Sequence, residues 1–174
     1  MRILAIFGHP DLDNSKVSRA WHNIFAANGG ITINRLDKIH NNFQFDIPAQ
    51  RKLIAEHDRI VIIFPIHWYG TPALLKKWLD DIISADADMS GKELIIAVSS
   101  GSPVEAYRVG GRNSWPLDIL CSPWHAMAIR FGMKFYPIYA VHNATGKEQH
   151  DFEQSGQTLL KQLLSENPAV MNQI

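Results

Sequence analysis

Short apolar runs alternate along this chain with longer stretches in which apolar residues recur every three or four positions. The first run, Ile3–Phe7, is closed by Gly8 and Pro10 and predicts a buried strand. Residues 15–28 carry Val17, Ala20, Trp21, Ile24 and Phe25 on one helical stripe, which Gly29 and Gly30 end. Residues 31–36 alternate apolar and polar, the pattern of a strand with one exposed face. A turn-rich stretch, 41–46, leads into a helix predicted over 48–57, with Pro48 in its first turn where a missing N–H is harmless. Residues 59–64 run unbroken and apolar after Arg59, as a central strand covered on both faces requires. Thr71 and Pro72 mark the start of a helix over 73–83, with Leu74, Leu75, Trp78, Leu79 and Ile82 on its apolar face. A buried strand follows at 94–98, then a long glycine-containing loop over 99–114. A helix over 116–131 comes next, which Pro123 kinks or breaks. Residues 135–141 read as the last strand and 147–164 as the last helix, with a frayed tail after Pro168.

Strands and helices in strict alternation predict a doubly wound α/β fold: a five-stranded parallel sheet in the order 2-1-3-4-5, as a single domain over residues 1–174. Composition narrows the function. Lys and Arg together number 17 and so do Asp and Glu, a zero formal charge that offers no sustained field for nucleic acid and no polybasic lipid anchor. The same neutrality speaks against an electron carrier that uses acidic charge to steer its partners. A single cysteine, Cys121, excludes an internal disulfide, a CxxC redox pair and a cysteine zinc site. The apolar run at 3–7 is too short for the core of a secretion signal, and no run reaches membrane-spanning length, so a cytoplasmic protein is expected.

In an open parallel sheet, ligands bind beyond the carboxyl ends of the strands, near the reversal of strand order. The loops after the first, third and fourth strands therefore converge. The first runs from Gly8, His9 and Pro10 to a helix N-terminus, whose free N–H groups favour a phosphate; His9, Ser15 and Ser18 add donors and Lys16 a charge. Equally, Asn14 or Ser15 caps the helix and His9 is a turn residue. The second loop sets Trp68 and Tyr69 directly after a buried strand, either to lean on a planar ring or to pack under the next helix or across a subunit interface. The third, from Ser99, Ser100, Gly101 and Ser102 to Asn113, is rich in small residues that let a ligand approach the backbone. Tyr107, Arg108, Arg112 and Asn113 are its larger polar members, and Arg108 reads as a surface partner of a carboxylate. No nucleophile–base pair and no metal-ligand spacing is legible, and His22, His40, His57 and His150 look peripheral. Redox chemistry here would need an organic cofactor.

Taken together these segments resemble the flavodoxin-like NAD(P)H dehydrogenase (quinone) family. They are Phe7-Gly8-His9-Pro10 with Ser15, Phe45-Asp46-Ile47-Pro48, Phe64-Pro65-Ile66-His67-Trp68-Tyr69, Pro72-Ala73-Leu74-Leu75-Lys76-Lys77-Trp78-Leu79-Asp80, Ser99-Ser100-Gly101 and Glu105-Ala106-Tyr107-Arg108. The similarity is strongest to the short bacterial branch that includes ancillary proteins of glutathione-gated potassium-efflux systems. It implies that His9 and Ser15, Lys16, Val17 and Ser18 hold a flavin phosphate. Ile66, His67, Trp68 and Tyr69 would lie along the isoalloxazine, and Ser99, Ser100, Gly101 and Ser102 would bond its polar edge. Tyr107 matches a tyrosine that lies over the flavin, with Asn113 or Arg112 in the stretch where some members carry a histidine. The resemblance further implies a flavin, NAD(P)H as co-substrate and ping-pong hydride transfer to a quinone-type acceptor, and the shorter loops here favour FMN over FAD. It also implies a homodimer with the site at its interface. The alternative it carries is a regulatory subunit on a membrane potassium-efflux protein, with little turnover of its own. Two departures stand out: the loop at 84–90 is short, acidic and lacks an aromatic residue, and no histidine follows Tyr107 closely.

Overall fold

A computed structural model describes residues 1–83, 87–166 and 168. Part of the acidic loop at 84–90, namely residues 84–86, and the tail after Pro168 lie outside the described residues. The elements are β1 (Ile3–Phe7), α1 (Val17–Asn28), β2 (Thr32–Arg35), α2 (Leu36–Ile39), α3 (Ile47–Ala55), β3 (Arg59–Pro65) and α4 (Ala73–Ile82). There follow β4 (Glu93–Ser99), α5 (Leu117–Leu120), α6 (Ser122–Arg130), β5 (Lys134–Phe135), β6 (Tyr139–Val141) and α7 (Gln149–Leu163).

All strand pairs are parallel, in the order β2-β1-β3-β4-β5, with β6 beside β4. The predicted order 2-1-3-4-5 therefore holds, with the fifth strand delivered in two pieces. Lys134 and Phe135 pair with Glu93 and Leu94, and Tyr139 pairs with Ala97. Tyr136, Pro137 and Ile138 thus stand opposite only Ile95 and Ile96, a bulge around a proline that has no N–H to give the ladder.

The central strands are apolar on both faces because both are covered. Leu4, Ile6, Ile60, Ile62, Phe64, Leu94, Ile96 and Val98 meet Ile54 of α3, Leu74, Leu75 and Trp78 of α4, and Trp124 of α6. The alternate residues Ala5, Phe7, Val61, Ile63, Ile95 and Ala97 meet Trp21 and Phe25 of α1 and Phe152 and Leu159 of α7. Each large side chain so buried contributes about 1.5–3 kcal/mol. On the second face α1 and α7 press together at Gly156, where a Cβ would fall 2.8 Å from Trp21 Cδ1 and 2.6 Å from Ile24 Cδ1. Beside it, Trp21 Nε1 donates to Ser155 Oγ at 2.9 Å.

Local chemistry sets the element ends. Asp46 accepts from the Ala49 amide at 3.0 Å and Pro48 occupies the first turn of α3. Gly29 ends α1 with φ of 72°. The helix expected over 116–131 is divided at Cys121, and Pro123 sits in the first turn of α6 rather than at a kink. Thr71 supplies no cap to α4. The short α2 was not anticipated: Leu36 turns the chain into the core directly after β2.

Candidate active site

The first loop leaves β1 with the Gly8 amide still donating to Ile63 O at 2.8 Å. A 3-10 turn at Leu12–Asn14 delivers Ser15, whose Oγ accepts from the Ser18 amide at 3.1 Å. Of the open readings, Ser15 therefore does the capping. The amides of Lys16 and Val17 make no hydrogen bond among the described residues. Two free donors thus sit on the positive end of α1, the arrangement that attracts a phosphate. Val17 turns its side chain into the core and can offer only its amide, while Lys16 is exposed. His9 Nδ1 accepts from the Asp11 amide at 3.0 Å, so the neutral ring carries its proton on Nε2 and presents a donor. Burial, with His67 nearby, lowers the His9 pKa from its ordinary 6.5, and the two rings meet edge-on at 6.1 Å. Asp13 is tied to Arg35 and Lys38, each at 2.8 Å.

The second loop is a two-residue hairpin turn. His67 and Gly70 exchange both main-chain hydrogen bonds at 3.0 Å, and Trp68 and Tyr69 between them take φ of 47° and 65°. Such a turn favours Asn-Gly, and each large L-residue held there costs about 1–2 kcal/mol. In return, Trp68 is 95% and Tyr69 48% exposed, and both amides are unpaired among the described residues. The reading in which they pack under the next helix does not hold.

The third loop faces this turn. Ser99 and Ser100 are buried behind the surface: Ser99 O accepts from Ile66 at 2.8 Å, and Ser100 Oγ contacts His142 Nδ1 at 3.0 Å. Gly101 and Ser102 come forward with amides unpaired among the described residues, while the Ser102 hydroxyl accepts from Arg112 Nη2 at 2.6 Å. From 104 to 114 the chain closes on itself, the Asn113 amide donating to Ala106 O at 3.0 Å. Gly111 is obligatory there, because a Cβ would fall 2.5 Å from Glu105 O.

Between the two loops lies a cavity of about 330 Å³. Ile66, Trp68 and Tyr69 form one wall, and Gly101, Ser102, Tyr107, Arg112 and Asn113 the other. Of the residues singled out from sequence, eight line it. His9, Ser15, Lys16, Val17 and Ser18 belong to the neighbouring first loop, linked to it through His67, while Ser99 and Ser100 support the far wall. Sequence reasoning missed His142, which is buried one position beyond β6, and the loop after it. The one available signal was its place at the carboxyl edge of the last strand. Cys121 is buried and its thiol is pushed up to about 12, so it is no nucleophile.

The model of the flavodoxin-like fold family matches residues 1–163, and the chain belongs to that family. Among curated relatives, the uncharacterized NAD(P)H oxidoreductase YrkL of Bacillus subtilis (strain 168) is 32% identical over 174 residues, covering 96% of this chain and 100% of YrkL. The glutathione-regulated potassium-efflux system ancillary protein KefF of Enterobacter sp. (strain 638) is 29% identical over 147 residues, covering 80% of this chain and 82% of KefF. Three solved structures share the fold closely. General stress protein 14 of Treponema denticola, in complex with FMN, has a TM-score of 0.86 at 27% identity, over 94% of this chain and 98% of its own. An NADPH-quinone reductase from P. pentosaceus has 0.84 at 28%, over 95% and 99%. A protein described as a thermophilic tryptophan halogenase from Streptomycin violaceusniger has 0.88 at 32%, over 94% and 99%. One fold thus goes under several activities, and the reaction has to be argued from the site.

Proposed function

We propose that this protein is an FMN-dependent NAD(P)H oxidoreductase that delivers two electrons to a quinone-type acceptor. The observation that carries the reading is the set of unpaired main-chain N–H groups at one edge of the sheet: Lys16 and Val17 at the start of α1, Trp68 and Tyr69 in the strained turn, Gly101 and Ser102 opposite. An FMN suits that set, having a phosphate dianion at one end and a row of carbonyl and ring-nitrogen acceptors at the other. When bound, it would take a hydride from NAD(P)H and hand two electrons on. The Lys16 and Val17 amides with His9 Nε2–H would hold the phosphate. The Trp68, Tyr69, Gly101 and Ser102 amides would bond the polar edge of the ring and oppose the negative charge that builds on it during reduction, needing no rearrangement to do so. Tyr107 and Asn113, on the wall opposite the Trp68–Tyr69 turn, would meet the co-substrate and acceptor as they alternate. FMN rather than FAD is supported by the cavity's modest size. The oxidoreductase relative YrkL, the FMN complex and the quinone reductase point the same way.

We further propose a homodimer that covers the cavity. Trp68 lines the cavity at 95% exposure, and Trp115, two residues beyond the lining Asn113, is 57% exposed, apolar surface that is poor to leave in water. Among the described residues no helix is long and apolar enough to cross a membrane, and NAD(P)H as reductant fits work in the cytoplasm. A second reading, favoured by the similarity to KefF, is an ancillary subunit seated on a potassium-efflux protein. Initial-rate kinetics separate the two. With NADH or NADPH varied at several quinone concentrations, the FMN-loaded protein should give parallel double-reciprocal lines. Negligible turnover with every acceptor, alongside stimulated potassium efflux on adding the protein to membranes, would favour the ancillary subunit instead.

A further inference from the structure

His142 is 3% exposed and lines no part of the cavity, yet it is wired to the wall that does. Its Nδ1 lies 3.0 Å from Ser100 Oγ, and the same hydroxyl reaches Ser102 O at 3.1 Å. Only one arrangement of protons makes both contacts hydrogen bonds. Ser102 O can only accept, so the Ser100 hydroxyl donates to it, and Nδ1–H donates to Ser100 Oγ. With the proton on Nε2 instead, the Ser100 hydroxyl could serve just one of its two acceptors, and a buried N–H would be left without a partner. Nε2 is enclosed and makes no hydrogen bond among the described residues. Leaving it as a bare acceptor is the smaller penalty. The Tyr107 ring closes over the imidazole with centroids 5.3 Å apart, and the charged groups that bear on it are Glu105 and Lys147.

The neighbouring main chain is bonded to the same turn. The Ser100 amide donates to Val141 O, Ala144 to Ser100 O and Asn143 to Ser102 O, each at 2.9 Å, while Thr145 Oγ1 donates to Gly101 O at 3.1 Å. The last three of these bonds occupy the carbonyls of residues 100–102. The Gly101 and Ser102 amides make no hydrogen bond among the described residues, and both residues line the cavity.

We propose that His142 is a positioning residue of the cofactor site: as the neutral Nδ1–H tautomer it locks the Ser100 hydroxyl and so fixes the turn that presents the Gly101 and Ser102 amides. The part of this that concerns FMN rests on the flavin reading above; the tautomer does not. Two substitutions separate the donor from the ring. His142→Asn keeps an N–H near the place of Nδ1 and discards the ring, whereas His142→Phe keeps a ring and discards the donor.

The first test is long-range ¹H–¹⁵N NMR of the flavin-free protein, with the His142 signal identified by its loss in H142F. The expected result at neutral pH is a protonated Nδ1 and a bare Nε2; an Nε2–H or doubly protonated ring overturns the proposal. The second is FMN titration followed by flavin fluorescence. H142F should bind about tenfold more weakly, the equivalent of about 1.4 kcal/mol, and H142N within about threefold of the native protein. Ser100→Ala should lose as much as H142F, and the double variant no more than either. H142F binding as tightly as the native protein, or losses that simply add, would overturn the role. If the native protein itself bound no FMN while the tautomer was as stated, the flavin reading would fall and the lock would stand.

Discussion

Gly8 lies so close beneath Leu75 that a Cβ at residue 8 would fall 2.6 Å from Leu75 Cδ2 and 2.8 Å from Leu75 Cβ. The end of β1, where the first site loop departs, is thereby packed directly against α4. Leu75 is fully buried and has nowhere to withdraw. Gly8→Ala should therefore cost about 1–3 kcal/mol in urea unfolding and weaken FMN binding by shifting the loop. Pairing it with Leu75→Ala should recover part of both losses. Additive losses in the double variant would show that the two residues are not coupled.

The Trp68–Tyr69 turn holds two large residues at positive φ, Trp68 almost wholly exposed and Tyr69 only half packed. The double substitution Trp68→Asn with Tyr69→Gly installs the residue types this turn prefers. It should raise stability by about 1–3 kcal/mol while removing the flat walls of the cavity. Thermal unfolding and FMN affinity should then move in opposite directions, as they do where strain serves a site. A variant that gained no stability would show that the turn is not strained.

Arg59 tests the other end of the molecule. It is fully buried, and its Nε donates to Glu93 at 2.6 Å while Nη1 reaches the carbonyls of Leu163 and Ser165 at the end of α7. Arg59→Ala removes the buried guanidinium from Glu93, which keeps only the Tyr136 hydroxyl at 2.8 Å and Lys134 at 3.6 Å, and from the Leu163 carbonyl, and should cost about 3 kcal/mol. Because the site lies at the opposite ends of the strands, FMN affinity of the folded fraction should stay within about twofold. A large loss of affinity would mean that the two ends communicate.

Stability should also fall on mild acidification. Burial lowers the pKa of both His9 and His142 from the ordinary 6.5. Above that value both rings are neutral whether folded or unfolded, and pH has no effect through them. Below it the unfolded chain takes up protons that the folded one resists, so stability declines as pH drops through and below 6.5. His142→Phe should flatten part of that slope in urea unfolding at several pH values. An unchanged slope would mean that His142 is not held neutral.

Much of this was legible in the residues themselves. The alternation of apolar runs and helical stripes gave five strand positions, and the reversal of strand order then told which loops converge. The two pieces of the last strand were harder to see, because Pro137 interrupts a run whose apolar character continues on both sides. Trp68 and Tyr69 stood out as aromatics after a buried strand, but their positive φ could not, since Trp-Tyr is not a pair this turn favours. His142 was invisible for a different reason. A histidine after a short strand has no local pattern, and its meaning comes from Ser100, 42 positions earlier, brought beside it by the pairing of β4 with β6.

The central claim is that this edge of the sheet binds FMN and that NAD(P)H reduces it there. The direct measurement is an absorbance spectrum of the protein mixed with FMN and then desalted, before and after NADH or NADPH, and again after a quinone. A flavin band that survives desalting, bleaches with the nucleotide and returns with the quinone is the predicted result. A colourless protein, or a bound band that neither nucleotide bleaches, would contradict it.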